Sequence, residues 1–216
     1  MKEKLKIDIV SDVVCPWCTI GYKRLEKAIK ELGIENQIEL QWQPFELNPN
    51  MPAEGQNLKE HIIEKYGTSP EQYRQMQEQM TAAGDSVDFV FDYYDDQRMS
   101  NTFDAHVLLE YAHQYGKQTD LKMRLTKAFF SERQDVSKTE VLKQALLDVG
   151  LDADEALSML DNQEACNEVL KKEAYWKSLG VNSVPTIVFD RKSAVTGAQP
   201  VDVFKQVLKE AMEQHA

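Results

Sequence analysis

A chain of 216 residues with three cysteines is long enough to bury about 70% of its unfolded surface, so it needs no disulfide or metal to hold a core. Asp plus Glu outnumber Lys plus Arg by 36 to 25, a net charge of −11, which argues against binding a phosphate backbone or anionic lipid. No run approaches the roughly 18 apolar residues of a membrane span, and the charges up to Asp8 leave no signal-peptide core, so the expected location is cytoplasmic, with no nucleic-acid and no membrane partner.

The first predicted element is a strand over Leu5 to Val10, where apolar residues alternate at 5, 7 and 9. A helix follows from Pro16 to Leu32, with Trp17, Ile20, Leu25, Ala28, Ile29 and Leu32 at helical spacing and Gly33 as its C-cap. A second strand runs from about Gln37 to Phe45. Strand, helix, strand implies a parallel pair with a right-handed crossover. After the loop 46–56 the texture becomes helical, with segments at 57–67, 69–84, 100–115, 119–132, 137–149 and 152–161. Ser69-Pro70 reads as an N-cap with proline at the first helical position, and Ser137 to Glu140 as a capping box. Residues 87–97 break the run and suggest a short extended segment. A helix from Gln163 to about Leu179 stops at Gly180, and strands follow at Thr186–Phe189 and Ala194–Val195. The last helix, from Val201 to about Gln214, puts Val203, Phe204, Val207, Leu208 and Ala211 on one face. Strands at both ends with helices between indicate an α/β domain over 1–56 and 162–216, interrupted by an all-helical insertion over 57–161.

The chemistry concentrates at Cys15-Pro16-Trp17-Cys18, directly after a strand and at the start of a helix. Unpaired N–H groups and the positive end of the macrodipole stabilise a thiolate there, and such settings lower a cysteine pKa from near 8.5 to about 3.5–7.5. Cys15 can attack a disulfide, and Cys18 can resolve the mixed disulfide. A zinc site is the competing use of such a pair. The other soft ligands are Cys166 and the histidines at 61, 106, 113 and 215, and none forms a second close pair, so no metal is expected.

Cys15 to Cys18 after a first strand, with Ser183-Val184-Pro185-Thr186 before a late one, resembles the thioredoxin superfamily, and the helical block between them resembles its DsbA-type branch. Ser11 to Gly21, Asn101 to His106 and Ala128 to Phe130 resemble the FrnE-like DsbA-family oxidoreductases, neighbours of the 2-hydroxychromene-2-carboxylate isomerases and kappa-class glutathione transferases. The resemblance implies a thioredoxin-like fold with a helical insertion and thiol–disulfide oxidoreductase activity. It implies no cofactor beyond the Cys15/Cys18 disulfide, with a polypeptide thiol or disulfide, or glutathione, as partner or co-substrate. It allows a homodimer. The isomerase and transferase relatives typically carry serine at the position of Cys15, so two cysteines favour redox exchange over glutathione-dependent isomerisation. A polypeptide-binding chaperone without turnover is the rival outside enzymology.

The same resemblance makes Pro185 a cis-proline facing the thiols, with the Val184 backbone offered to an extended substrate. Trp17 is expected either to shape the substrate surface or to pack on the insertion. Asn101 and His106 are candidate substrate-side contacts, and Asp104 is read as a helix-dipole partner. Cys166 is expected to be an ordinary thiol. Phe89, Phe91, Tyr93 and Tyr94 are read as core, with a groove lining as the alternative.

Overall fold

The computed structural model describes residues 3–215, so the outermost residues 1, 2 and 216 of the expected α/β segments lie outside the described residues. Strand β1 (Leu5–Ser11) leads into helix α1 (Pro16–Leu32), and strand β2 (Ile38–Pro44) returns parallel to β1, Leu5 opposite Ile38 and Ser11 opposite Pro44. Near the C-terminus, β5 (Thr186–Phe189) pairs antiparallel with β1, and β6 (Ser193–Thr196) antiparallel with β5. The sheet order is β2-β1-β5-β6.

Period-two alternation sorts the two faces of this sheet. Leu5, Ile7 and Ile9 of β1, with Ile187 and Phe189 of β5, pack on Leu25, Ala28 and Ile29 of α1 and on Phe204, Leu208 and Ala211 of α9 (Val201–His215). The opposite face places Val10 and Val188 against Trp176 of α8 (Gln163–Ser178). On that side the polar groups are paired. Trp176 Nε1 donates to Gln43 Oε1 at 3.2 Å, and Gln43 Nε2 donates to Asp8 Oδ1 at 2.6 Å.

Between β2 and α8 come β3 (Gln56–Asn57), α2 (Leu58–Tyr66), α3 (Pro70–Asp85), β4 (Arg98–Met99), α4 (Phe103–Gln114), α5 (Gln118–Ser131), α6 (Thr139–Asp148) and α7 (Ala153–Ser158). They enclose a second core of Leu108, Leu121, Leu125, Phe129, Phe130, Leu142 and their neighbours. Val13, Val14 and Ile20, which flank the two cysteines, belong to this core rather than to the sheet's. The CxxC turn therefore sits where the helical block meets the C-terminal end of β1, an inner strand of the sheet.

Several local expectations change. Ser137 does not cap a helix: its N–H and hydroxyl both donate to Asp135 Oδ1, at 3.0 and 2.7 Å, and α6 begins two residues later at Thr139. A carboxylate two residues away outcompeted the helix end for that serine. Residues 87–97 form no strand; their backbone closes α3 through Val87 and Phe89 N–H groups on Gly84 O, then docks on α5 through Asp92 N on Phe130 O. The extended pairing occurs one step later, where β4 meets β3 as a two-residue ribbon. Residues 152–161 are α7 followed by a turn of 3-10 helix, and Val203 stands outside the buried stripe of α9 at 39% exposure.

Gly84 is a point where this packing admits no side chain. An added Cβ would lie 2.5 Å from both Phe89 O and the Phe91 ring. Gly84→Ala is expected to destabilise by about 2 kcal/mol despite alanine's better helix propensity, lowering the thermal midpoint by about 4–8 °C in a melt followed by circular dichroism. An unchanged midpoint would mean that the 87–91 segment is not seated as described.

Candidate active site

Cys15 is the N-cap of α1, with extended backbone (φ −97°, ψ 109°). Pro16 occupies the first helical turn, where its missing N–H lacks a partner in any helix. Cys15 Sγ accepts the Cys18 N–H at 3.3 Å, the contact a serine or aspartate cap would make. Its thiol points at the carbonyl of Val184, 3.8 Å away. The Val184–Pro185 peptide bond is cis. Gly21, one turn into α1, lets the helix approach that loop: a Cβ there would lie 3.2 Å from Pro185 Cγ. Both thiols are free and buried, Cys15 at 4% exposure and Cys18 at 1%. Cys15 borders the open cleft; Cys18 faces inward.

The cleft holds about 370 Å³ and runs from Cys15 between α1, α2, α3 and the 87–99 segment. Its wall is largely apolar, with Val14, Ile62, Met80, Tyr93 and Phe130, and Trp17 and Tyr66 stand half-exposed at its mouth. His61 and Lys65 supply its polar side. His61 is held by Gln56 and Asn48, and Lys65 Nζ donates to Leu47 O and Asn48 Oδ1 at 2.8 and 2.6 Å.

Behind the thiols lies a buried polar layer. Asp12 accepts from Val13 N at 2.7 Å and from Leu47 N at 2.8 Å, and His106 Nε2 sits 3.3 Å from its Oδ1. Burial opposes ionisation of Asp12, but the His106 contact, the Leu47 N–H and the charge of Lys122 outweigh it, so its pKa lies below the ordinary value. Burial pushes the Cys15 thiol well up, and the adjacent Cys18 adds to this through its hydrogen bond and charge. Burial also opposes ionisation of Cys18. There the hydrogen bond from Cys15, the charge of Lys122, and hydrogen bonds from Asp12 and Ser11 prevail, and the pKa is lowered.

The remaining candidates divide. Trp17 and Val184 line the cleft beside Cys15. His106 is 2% exposed and faces Asp12 instead of the cleft. Asn101 is turned to the structure as well, its amide donating to Met51 O at 2.9 Å and its carbonyl accepting from Phe103 N at 3.0 Å. Asp104 stands in the first turn of α4. Phe89 and Phe91 pack with Phe130 in the core, whereas Tyr93 reaches the cleft. Cys166 is distant from the pair, its thiol 3.4 Å from Leu160 O. Sequence reasoning overlooked Asp12, Lys65 and Lys122. Lys122 had a signal, since it interrupts the apolar stripe formed by Leu121, Leu125 and Phe129.

Among the described residues no helix is long and apolar enough to cross a membrane. The chain is 31% identical to a probable DsbA oxidoreductase of Streptomyces coelicolor, whose crystal structure superposes with a TM-score of 0.90 over 97% of this chain and 90% of that one. It is 26% identical to the protein YwbO of Bacillus subtilis over 207 residues, 94% of this chain and 96% of that protein. The cytosolic disulfide reductase DsbM of Pseudomonas aeruginosa, solved with GSH, shares the fold at 14% identity, with a TM-score of 0.67 over 96% of this chain and 99% of that one. The model of the DSBA-like thioredoxin domain matches residues 6–209, and the chain belongs to that family.

Proposed function

We propose that this protein is a thiol–disulfide oxidoreductase in which Cys15 exchanges with the substrate and Cys18 resolves. One observation carries the reading: of the two cysteines at the start of α1, only Cys15 opens on a cleft. In the reduced pair Cys15, deprotonated, attacks one sulfur of the substrate disulfide. The substrate's S–S bond breaks, a Cys15–substrate disulfide forms, and the other half leaves as a thiolate. Cys18 then gives its proton to that thiolate and attacks Cys15 Sγ, which expels the second half as a thiolate and closes the Cys15–Cys18 disulfide. Two electrons have moved from the protein to the substrate. Reversed, the same steps oxidise a dithiol.

The substrate we favour carries an apolar group next to its sulfur. The wall beside Cys15 is largely apolar, and a cleft of about 370 Å³ suits a large side chain or a small molecule. The Val184 backbone lies where it would pair with an extended substrate segment. Glutathione is the candidate recycling thiol; its presence with DsbM lends support to this. Three cysteines in 216 residues make no structural disulfide framework, which suits a reducing compartment and a cytoplasmic location.

The test combines turnover and trapping. Wild-type protein with glutathione should accelerate the reduction of insulin's disulfides. Cys18→Ser should accumulate a mixed disulfide on Cys15, seen as a mass increase that dithiothreitol removes. Turnover at the uncatalysed rate, together with no adduct on Cys18→Ser, would overturn the proposal.

A further inference from the structure

The wall of the cleft differs in charge from the rest of the molecule. The chain carries a net charge of −11 from 36 acidic and 25 basic residues, yet among the described residues no Asp or Glu lines the cleft on which Cys15 opens. Its one lysine there is Lys65, near the C-terminal end of α2, and its one histidine is His61, a turn earlier on the same helix. Lys65 stands at the mouth, its Nζ 5.7 Å from the Tyr66 ring centroid. That Nζ donates to Leu47 O at 2.8 Å and to Asn48 Oδ1 at 2.6 Å. These two neutral acceptors hold the ammonium in place, and neither offsets its charge.

His61 adds a second, independent sign of the same deficit. Its Nδ1 faces Gln56 Oε1 at 2.8 Å and its Nε2 faces Asn48 Oδ1 at 2.9 Å. Both oxygens are turned toward it by other bonds: Gln56 Nε2 donates to Glu64 Oε2 at 2.7 Å, and Asn48 Oδ1 accepts from Lys65. A neutral imidazole has one N–H and meets only one of the two oxygens, whereas the imidazolium meets both. Burial and the charge of Lys65 oppose that second proton, with Glu64 favouring it. An anion beside Lys65 and His61 would balance the wall.

We propose that the cleft selects an amphipathic anionic disulfide: a small molecule whose apolar body lies against Val14, Met80 and Phe130 and whose carboxylate meets Lys65 at the mouth, with His61 beside it. This rests on reading Cys15 as the exchanging thiol. A cavity of about 370 Å³ suits a small molecule, and such sites combine an apolar wall with a few placed polar groups. The excess of acidic residues elsewhere repels anions, so selection for one must come from groups at the cleft itself. Both cleft cations lie on α2, so the helical insertion reads the charge of the substrate while the sheet domain supplies the thiols.

The first measurement is single-turnover exchange. Reduced protein in a Cys166→Ser background, with no other thiol, is mixed with the anionic aryl disulfide 5,5′-dithiobis(2-nitrobenzoate) or with neutral 4,4′-dithiodipyridine. Cys15 bonds to one sulfur of the probe, the probe's S–S bond breaks, and Cys18 closes the protein disulfide. Two electrons pass to the probe, two coloured aryl thiols leave, and their absorbance gives the rate. Lys65→Met should slow the anionic probe about fivefold relative to the neutral one, the upper end for an exposed ion pair. Lys65→Arg should keep the wild-type ratio. So should Lys59→Met, which removes a charge from an exposed position of α2 outside the cleft. An unchanged ratio in Lys65→Met, or an equal fall in Lys59→Met, would overturn the proposal. The second measurement involves no exchange. By calorimetry on the disulfide form, 3-phenylpropionate should bind about fivefold more tightly than 3-phenylpropanamide, and at least about tenfold more tightly than propionate, because the ring is buried. Lys65→Met should abolish the first difference and keep the second. Equal binding of the acid and its amide, or of phenylpropionate and propionate, would also overturn it. No thiol reacts in this titration, so failed insulin turnover would sink the functional reading while leaving the binding result separately legible.

Discussion

Cys15→Ser should lower disulfide-exchange turnover by at least about a thousandfold, to the uncatalysed rate, without weakening the fold. A hydroxyl cannot form the mixed disulfide, and Cys18, at 1% exposure behind the turn, cannot reach a substrate in its place. The fold should survive because the position is an N-cap whose side chain accepts the Cys18 N–H. Serine caps helices well. Insulin reduction with glutathione and a thermal melt, run on the same preparations, measure both effects. The variant also separates enzyme from chaperone. The cleft is largely made of groups other than the thiol, so suppression of aggregation would persist in Cys15→Ser if binding alone were the function. Retained turnover would remove Cys15 from its proposed role.

The parts legible in sequence are those governed by neighbours in the chain. Pro16 and Gly33 bracket α1, and helix periodicity between them leaves no competing structure. The alternation in Leu5–Val10 and the crossover implied by α1 place β1 beside β2 in parallel. The cysteine pair was readable for the same reason, since its chemistry follows from a helix start. The failures involve partners distant in the chain. The β3–β4 ribbon pairs Gln56 with Met99 and, with two residues on each side, has too little pattern to detect. His106 looked like a substrate contact because its segment resembles one near the thiols. Its Asp12 partner lies 94 residues earlier.

Asp12→Ala should be among the most destabilising single changes, because one carboxylate ties three segments together. It accepts from Val13 N in the redox turn and from Leu47 N after β2, and it meets His106 of α4. Asp12 and His106 are 1% and 2% exposed, so water does not replace the lost acceptor. Leaving these buried groups unsatisfied costs about 3 kcal/mol, a fall of about 6–12 °C in the thermal midpoint at neutral pH. Asp12→Asn keeps one oxygen acceptor and should fall between the two. The pH dependence follows from the direction of the shift. The folded-state pKa of Asp12 is depressed, so its ionised form is favoured by folding. That contribution is fully present above the unfolded value of about 3.9 and is lost as pH falls through the lower folded value. Melts of wild type and Asp12→Ala should therefore differ most above about pH 5 and converge as the pH falls through the depressed folded value. A gap that stays constant across that range would show that the carboxylate's charge contributes nothing and that the loss is one of packing alone.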